Sequence, residues 1–390
     1  MSSRSRWFIR TALFFLINFG VASTPRLVSA QDLPSRLPKR IVGDYGYWSR
    51  TQDPRYSHEQ IPYHELTHIN HSGISFDCAG SLSVPDGFLE PELNDEAHAA
   101  GVKVLLLMWG DFNGLETDCG PEISSAGLDA LVGNIATYTL RHHYDGVDMD
   151  WEYPVTTEDR KFFVKLMQAL RESNASYTLS IDVPPWGGSG YDLKQLQLSL
   201  DYFNIMMYDC AGPWDQYGQL NSPIFWDYRE PQLAAYECQP GGSAQEAADH
   251  FLKYVPAKQL NMGTPFYGYY YTAINHLFEE CPPWVLNNNG NSCGNTVTSL
   301  NYGPNIKPLI NRDGWYTQYD PRAYVPYMLR VNGRDGYITY DDPFSTYYRV
   351  WYSDWARGLG GTFMWSLDAD YDGHSQDLLD AMYWATMTGH

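Results

Sequence analysis

Basic residues are scarce in this chain: 26 Lys and Arg stand against 46 Asp and Glu, for a formal charge of −20. A protein that neutralises phosphates needs a basic face, and one that adheres to lipid needs basic amphipathic stretches. Neither is present, which excludes nucleic acid and membrane as partners. Past residue 30 no apolar run approaches the ~20 residues of a membrane span. No short-period repeat and no low-complexity tract occurs, and apolar residues make up 44% of the 390, enough for a large core rather than a disordered chain. The six cysteines include no CxxC pair, which disfavours zinc and redox motifs.

What is present begins with a leader. Arg4, Arg6 and Arg10 precede an apolar run from Ala12 to Ala22, and Val28, Ser29 and Ala30 form a small-residue cleavage site. Residues 1–30 therefore read as a secretory signal peptide, and the mature protein is expected outside the cell. Six cysteines in an exported chain read as disulfides; neighbours suggest Cys78–Cys119, Cys210–Cys238 and Cys281–Cys293, although sequence leaves the connectivity open. Asn70 and Asn174 begin Asn-x-Ser sequons. Aromatic residues reach 15%, with 31 Tyr and 13 Trp, a bias shared by carbohydrate binders and by Tyr-rich surfaces.

Short apolar runs recur at Arg40–Gly43, Leu66–Ile74, Val102–Met108, Gly146–Trp151, Thr178–Val183, Phe203–Met207, Leu260–Gly263 and Gly361–Trp365. Helix-period segments separate several of them, among them Gly127–Arg141, Glu158–Glu172 and Ser345–Arg357. Eight such runs predict an α/β fold, a (β/α)8 TIM barrel spanning 39–268 and 337–390. The gap between the seventh and eighth runs, residues 269–336, is too long for a structureless loop and predicts a small α+β insertion domain.

The most informative segment is DGVDMDWE, residues 145–152. Alternate residues of a strand share a face, so Asp148, Asp150 and Glu152 point one way and Val147, Met149 and Trp151 the other. Three carboxyls stacked inside a barrel cannot all ionise cheaply; they are expected to share protons, with at least one pKa raised. Glu152, outermost, would stand at the C-terminal mouth as a general acid. The alternative for such a row is a bound cation or a solvated strand, which the apolar flanks disfavour.

DGVDMDWE resembles the DGxDxDWE motif of glycoside hydrolase family 18, the chitinase family. Met206–Asp209 is similar to its MxYD element, Gly263–Gly268 to its seventh-strand element, and Tyr340–Pro343 with Gly358–Asp368 to the closing segments. The resemblance covers residues 39–372. It implies a retaining, substrate-assisted glycosidase without cofactor or metal, cutting β-1,4 bonds between N-acetylglucosamine units of chitin or chitooligosaccharides, as a monomer. It implies that Glu152, Asp150, Asp148 and Tyr208 are catalytic. Asp209, Trp365, Met206, Tyr267, Trp109, Trp48 and Tyr45 would hold sugar, with Asp145 and Gly146 structural. Trp186 and Trp214 are further stacking candidates at the mouth. Three departures stand out: Leu107 where the family has Ser on the third strand, Tyr269 where Arg is frequent, and Asp44 where an aromatic is usual.

Two readings compete. His64-Glu65-Leu-Thr-His68 matches the HExxH of zinc proteases, but its surroundings have strand composition, and on a strand the two His lie roughly 13 Å apart. A non-catalytic lectin on the same barrel would usually lack the acid corresponding to Glu152. His142 and His143 carry no readable motif and are expected at a helix end.

Overall fold

The computed structural model describes residues 37–110, 123–188, 190–225, 242–331 and 336–389. The leader, Cys119 and Cys238 lie outside them.

Each apolar run predicted from the sequence forms a parallel strand: β1 Arg40–Gly46, β2 His68–Phe76, β3 Lys103–Gly110, β4 Gly146–Trp151, β5 Thr178–Val183, β6 Tyr202–Ile205 and β7 Leu260–Pro265. An eighth, Gly361–Trp365, pairs with both β1 and β7, and β1 also pairs with β2, so the sheet closes into the expected barrel. Around it lie α1 Pro91–Ala99, α2 Ser125–Arg141, α3 Thr157–Ser173, α4 Leu193–Leu196 and α5 Ala244–Phe251.

The helix boundaries have local causes. Ser124 caps α2 by accepting the Gly127 amide, and Thr156 and Asp159 form a capping box on α3. The apolar face of α3, Phe162, Phe163, Leu166, Met167 and Leu170, is buried against the barrel. Trp151 of β4 meets it with ring centroids 5.4 Å from Phe163 and 6.1 Å from Phe162. Val147, Met149 and Trp151 belong to this outer core, as the period-two reading requires.

Between β7 and the last barrel strand the chain forms a second, antiparallel sheet. Its strands are β8 Tyr267–Tyr271, β9 Val297–Asn301, β10 Trp315–Asp320, β11 Val325–Arg330 and β12 Tyr337–Thr339, in the order β9-β8-β12-β11-β10. It begins one residue after β7 and its neighbour Phe266, earlier than the predicted position 269. The helix α6, Pro283–Asn288, sits inside the loop closed by the Cys281–Cys293 disulfide. Cys78 and Cys210 are also disulfide-bonded. After β12, α7 Pro343–Val350 leads to the strand Gly361–Trp365, here β13, and α8 Asp377–Thr388 ends the chain. Arg349 of α7 is fully buried, donating to Asp341 at 3.0 Å and to the Ser222 carbonyl.

Two sequence features find purely structural places. The HExxH segment forms no α-helix: Tyr63–Glu65 is a single 3-10 turn, His64 is exposed, and His68 opens β2 packed on Tyr202 at 5.4 Å. Asn70 is fully buried in the barrel, so its sequon is closed to glycosylation in the folded chain.

Gly146 opens the acidic strand where a side chain has no room, because a Cβ there would stand 1.8 Å from the Thr178 carbonyl oxygen on β5. Gly146→Ala is expected to lower stability by about 1–3 kcal/mol through forced separation of β4 from β5, read as a lower urea midpoint. An unchanged midpoint would show that the two strands yield freely.

Candidate active site

β4 carries the acidic row. Asp148 is fully buried, Asp150 is 6% exposed, and Glu152, one residue past the strand, opens to solvent in the mouth. All three share the lumen side, as alternation demands. Asp145, at the strand base, does not join them: its Oδ2 accepts from the Val104 amide and meets His98 Nε2, both at 2.8 Å, tying β3 and α1 to β4.

Asp148 answers the question raised by Leu107. In register, Leu107 of β3 and Ser180 of β5 flank Asp148 on its two sides. With a methyl-bearing side chain on the β3 side, Asp148 takes its hydrogen bonds from the other: Ser180 Oγ donates to its Oδ1, and Asn204 Nδ2 of β6 reaches the same oxygen at 3.4 Å. Asn204 in turn accepts from Asn261 at 2.9 Å, and Asn261 accepts from Arg40 Nε at 2.9 Å, so a chain of donors runs from the barrel floor to the row.

Burial pushes the Asp148 carboxyl up to about 7, against the downward pull of its bonds to Ser180 and Asp182. Asp150 is raised well above the ordinary carboxylate range, first by desolvation and then by the charges of Glu152, Asp148 and Asp44. Glu152 is raised by desolvation and by Asp209, with a bond to Tyr153 opposing.

Sequence reasoning missed two members of this cluster. Asp182, two residues beyond Ser180 on β5 and 2% exposed, lines the groove; its carboxyl is held well above the usual range by desolvation and by Asp148, Asp150 and Asp44. The alternation that placed Asp148 inward applies equally to Thr178–Val183 and would have found it. Asp44 was noted only as a departure; it is fully buried in the lumen beside Asn70, and desolvation and Asp148 raise it too.

Asp44 also explains where Tyr45 goes. The residue after an inward Asp must face outward, so Tyr45 is buried between the barrel and its surroundings, donating to Glu90 at 2.6 Å with its ring 5.5 Å from His71. Its expected contact with substrate is corrected: no face of the ring is open.

The mouth opens into a groove of about 670 Å³ lined by Asp150, Glu152 and Asp182 and by a wall of aromatic rings. Trp109, Met206, Tyr208, Asp209, Tyr267 and Trp365 all border it. Trp48 stands behind this lining, stacked on Trp109 at 5.6 Å and 6.3 Å from Trp365. Trp186 and Trp214 border the groove as well, and Ser299 and Asn301 reach it from the second sheet. Asp209 adopts a left-handed φ of 60° and its Oδ1 accepts the hydroxyls of Tyr267 and of Tyr269, the latter at 2.8 Å. Tyr269 thus gives this carboxylate a neutral donor where a guanidinium was expected. Tyr208 packs against Tyr267 and Phe363, each at 6.0 Å, and its hydroxyl is kept protonated by burial and by four nearby carboxyls.

Chemically the groove offers graded carboxyls beneath aromatic faces, and among the described lining residues no Lys, Arg or His. Among the described residues no group of three metal-ligating side chains has the geometry to hold an ion. Such a site can protonate a leaving oxygen, stabilise a cationic centre and stack on a sugar ring.

Comparison with known proteins points the same way. Chitinase A1 of Niallia circulans is 26% identical over 66% of this chain, and Probable chitinase 2 of Drosophila melanogaster 28% over 62%. The chain spans 39% and 50% of the lengths of those two proteins. Chitinase B of Serratia marcescens is 24% identical, covering 82% of this chain and 75% of its own. Among solved structures, Group IV chitinase of Ostrinia furnacalis superposes with a TM-score of 0.73 at 21% identity, covering 89% of this chain and 99% of that one. Human YKL-39, described as a pseudo-chitinase with retained chitooligosaccharide binding, gives 0.74 at 20% over the same shares. The model of Glycosyl hydrolases family 18 matches residues 40–370, and the chain belongs to that family.

Proposed function

We propose that the protein is a secreted, catalytically active chitinase that hydrolyses β-1,4 bonds between N-acetylglucosamine units with retention, the substrate's own acetamide acting as nucleophile. The observation that carries this reading is the inward carboxyl row, with Glu152 at its solvent-facing end in a groove lined by aromatic rings and with Asp150 and Asp148 buried below it, where burial raises all three carboxyls. The disulfides and the leader support export.

In this reading a sugar chain lies along the groove with one unit over Trp365. Glu152 gives its proton to the glycosidic oxygen, the bond from that oxygen to C1 breaks, and the acetamide carbonyl oxygen attacks C1 to form an oxazolinium ion. Asp150, first paired with Asp148, turns to the acetamide N–H and balances the positive charge, while the Tyr208 hydroxyl donates to the acetamide oxygen. Water then attacks C1, returning a proton to Glu152 and reopening the ring with retained configuration. No carboxylate nucleophile is required. Residues 269–336 act as an insertion that deepens one side of the groove, and the enzyme acts as a monomer without cofactor.

The acid is tested by Glu152→Gln on a fluorogenic chitobiose substrate: kcat should fall by at least about 10²-fold with the circular dichroism spectrum intact. Unchanged activity would remove Glu152 from the reaction, and binding without turnover by the unsubstituted protein would favour a lectin. The nucleophile is tested separately, since fully deacetylated chitosan has no acetamide and should not be cleaved; efficient turnover would contradict substrate assistance. The pH profile carries a third expectation. Glu152 must hold its proton, and the charge of Asp209 helps it do so, so activity is lost as pH rises through a raised pKa. Asp209→Asn should therefore move the alkaline limb of kcat to lower pH; a limb that stays or rises would refute the coupling.

A further inference from the structure

The lumen holds more acid than the reaction uses. Glu152, Asp150 and Asp148 have roles in the proposed mechanism; Asp182 has none, yet it borders the same groove almost fully buried. Its position is set by register. Asp148 on β4 lies opposite Ser180 on β5, and Asp182, two residues on and therefore on the same face, lies opposite Asn204 on β6. The three side chains converge on Asp148, which accepts from Ser180 and Asn204 and shares a hydrogen bond with the Asp182 carboxyl. Two carboxyls can be hydrogen-bonded only when one carries a proton.

The surroundings decide which one. Asp148 has two other donors, and the Arg40–Asn261–Asn204 chain polarises one of them toward it. Each carboxyl keeps one oxygen without a partner, Asp148 Oδ2 and Asp182 Oδ1, so what separates them is the Ser180 hydroxyl, which serves Asp148 alone. The titratable groups facing Asp182 are Asp44 from β1, Asp148, Asp150 and Glu152 from β4 and its end, Tyr191 and Tyr208. Every carboxyl in that set disfavours a charge on Asp182, and none of the described groove-lining residues is a cation. The proton therefore sits on Asp182.

We propose that Asp182 is a positioning residue for the reaction: its protonated carboxyl donates to the Asp148 carboxylate and holds Asp148 as the ion when Asp150 turns to the substrate. The inference rests on the chitinase reading above and adds to it the group that receives the charge Asp150 leaves behind. Ser180, level with Asp148, replaces the donor lost from β3 at Leu107, and Asp182, two residues further along β5, adds to it from nearer the mouth.

The test compares the full chain with Asp182→Asn and Asp182→Ala, measuring kcat and KM against pH on a fluorogenic chitotriose substrate. The Asn amide still donates, so Asp182→Asn should keep kcat within about threefold. Asp182→Ala removes the donor; kcat should fall about tenfold or more with KM little changed, as for one charge-assisted bond. Losing a donor to the charged form raises the Asp148 pKa, so the acidic limb should move to higher pH in Asp182→Ala and stay in place in Asp182→Asn. Equal losses in both variants, or an Ala variant with wild-type kcat and limb, would overturn the proposal. Infrared spectroscopy of the unliganded protein at neutral pH gives a readout independent of turnover and of whether the Ala variant folds: the C=O band of a protonated buried carboxyl should weaken in Asp182→Asn, and an unchanged band would overturn the assignment. If the wild-type chain cleaves no chitooligosaccharide, the enzymatic reading fails. If it cleaves and the Ala variant matches it, only the role of Asp182 fails.

Discussion

Five carboxyls occupy one narrow, desolvated lumen, and they cannot all be charged. Asp44, Asp148, Asp150 and Asp182 are buried to within a few per cent, with Glu152 above them at the rim. Taking a carboxylate out of water is costly, and each further charge in the same low-dielectric space adds repulsion. The protein meets this by retaining protons and by supplying neutral donors from Ser180 and Asn204. A carboxyl whose pKa is raised at an open groove is suited to donate a proton, and the remainder of the fold places Glu152 beside stacking rings.

The barrel does the placing. Strand alternation puts every second residue inward, and neighbouring strands hold side chains at matched heights, so β1, β4 and β5 position the four buried carboxyls and Glu152 follows one residue past β4. The outward residues pay into stability instead: Trp151, Met149 and Val147 fill the layer under the helices while their neighbours form the site. The same logic turns Tyr45 into a core residue once Asp44 faces the lumen. The second sheet contributes Tyr267, Tyr269, Ser299 and Asn301 to the groove.

Much of this was legible in the sequence because period-two alternation and apolar runs are strong local features. The barrel strands, the inward row Asp148, Asp150 and Glu152, and the break in rhythm after β7 all follow from them. What escaped was of two kinds. Asp182 lay within a run read as a strand, and only the lack of a motif around it drew attention away. Tyr45 was placed at the substrate by resemblance, although the inward Asp44 beside it already fixed its direction. The pairing of Tyr269 with Asp209 depends on the left-handed turn at Asp209, a backbone feature that composition does not announce. The change of donor for Asp148 from β3 to β5 required strand register.

The central claim is that the lumen carboxyls retain protons at neutral pH because burial and mutual repulsion forbid full ionisation. A carboxyl carbon-13 NMR titration of the unliganded protein tests it most directly. The account predicts that at least two lumen carboxyls still titrate near or above neutrality, with coupled rather than independent curves. Completion of every carboxyl titration in the ordinary acidic range would contradict it.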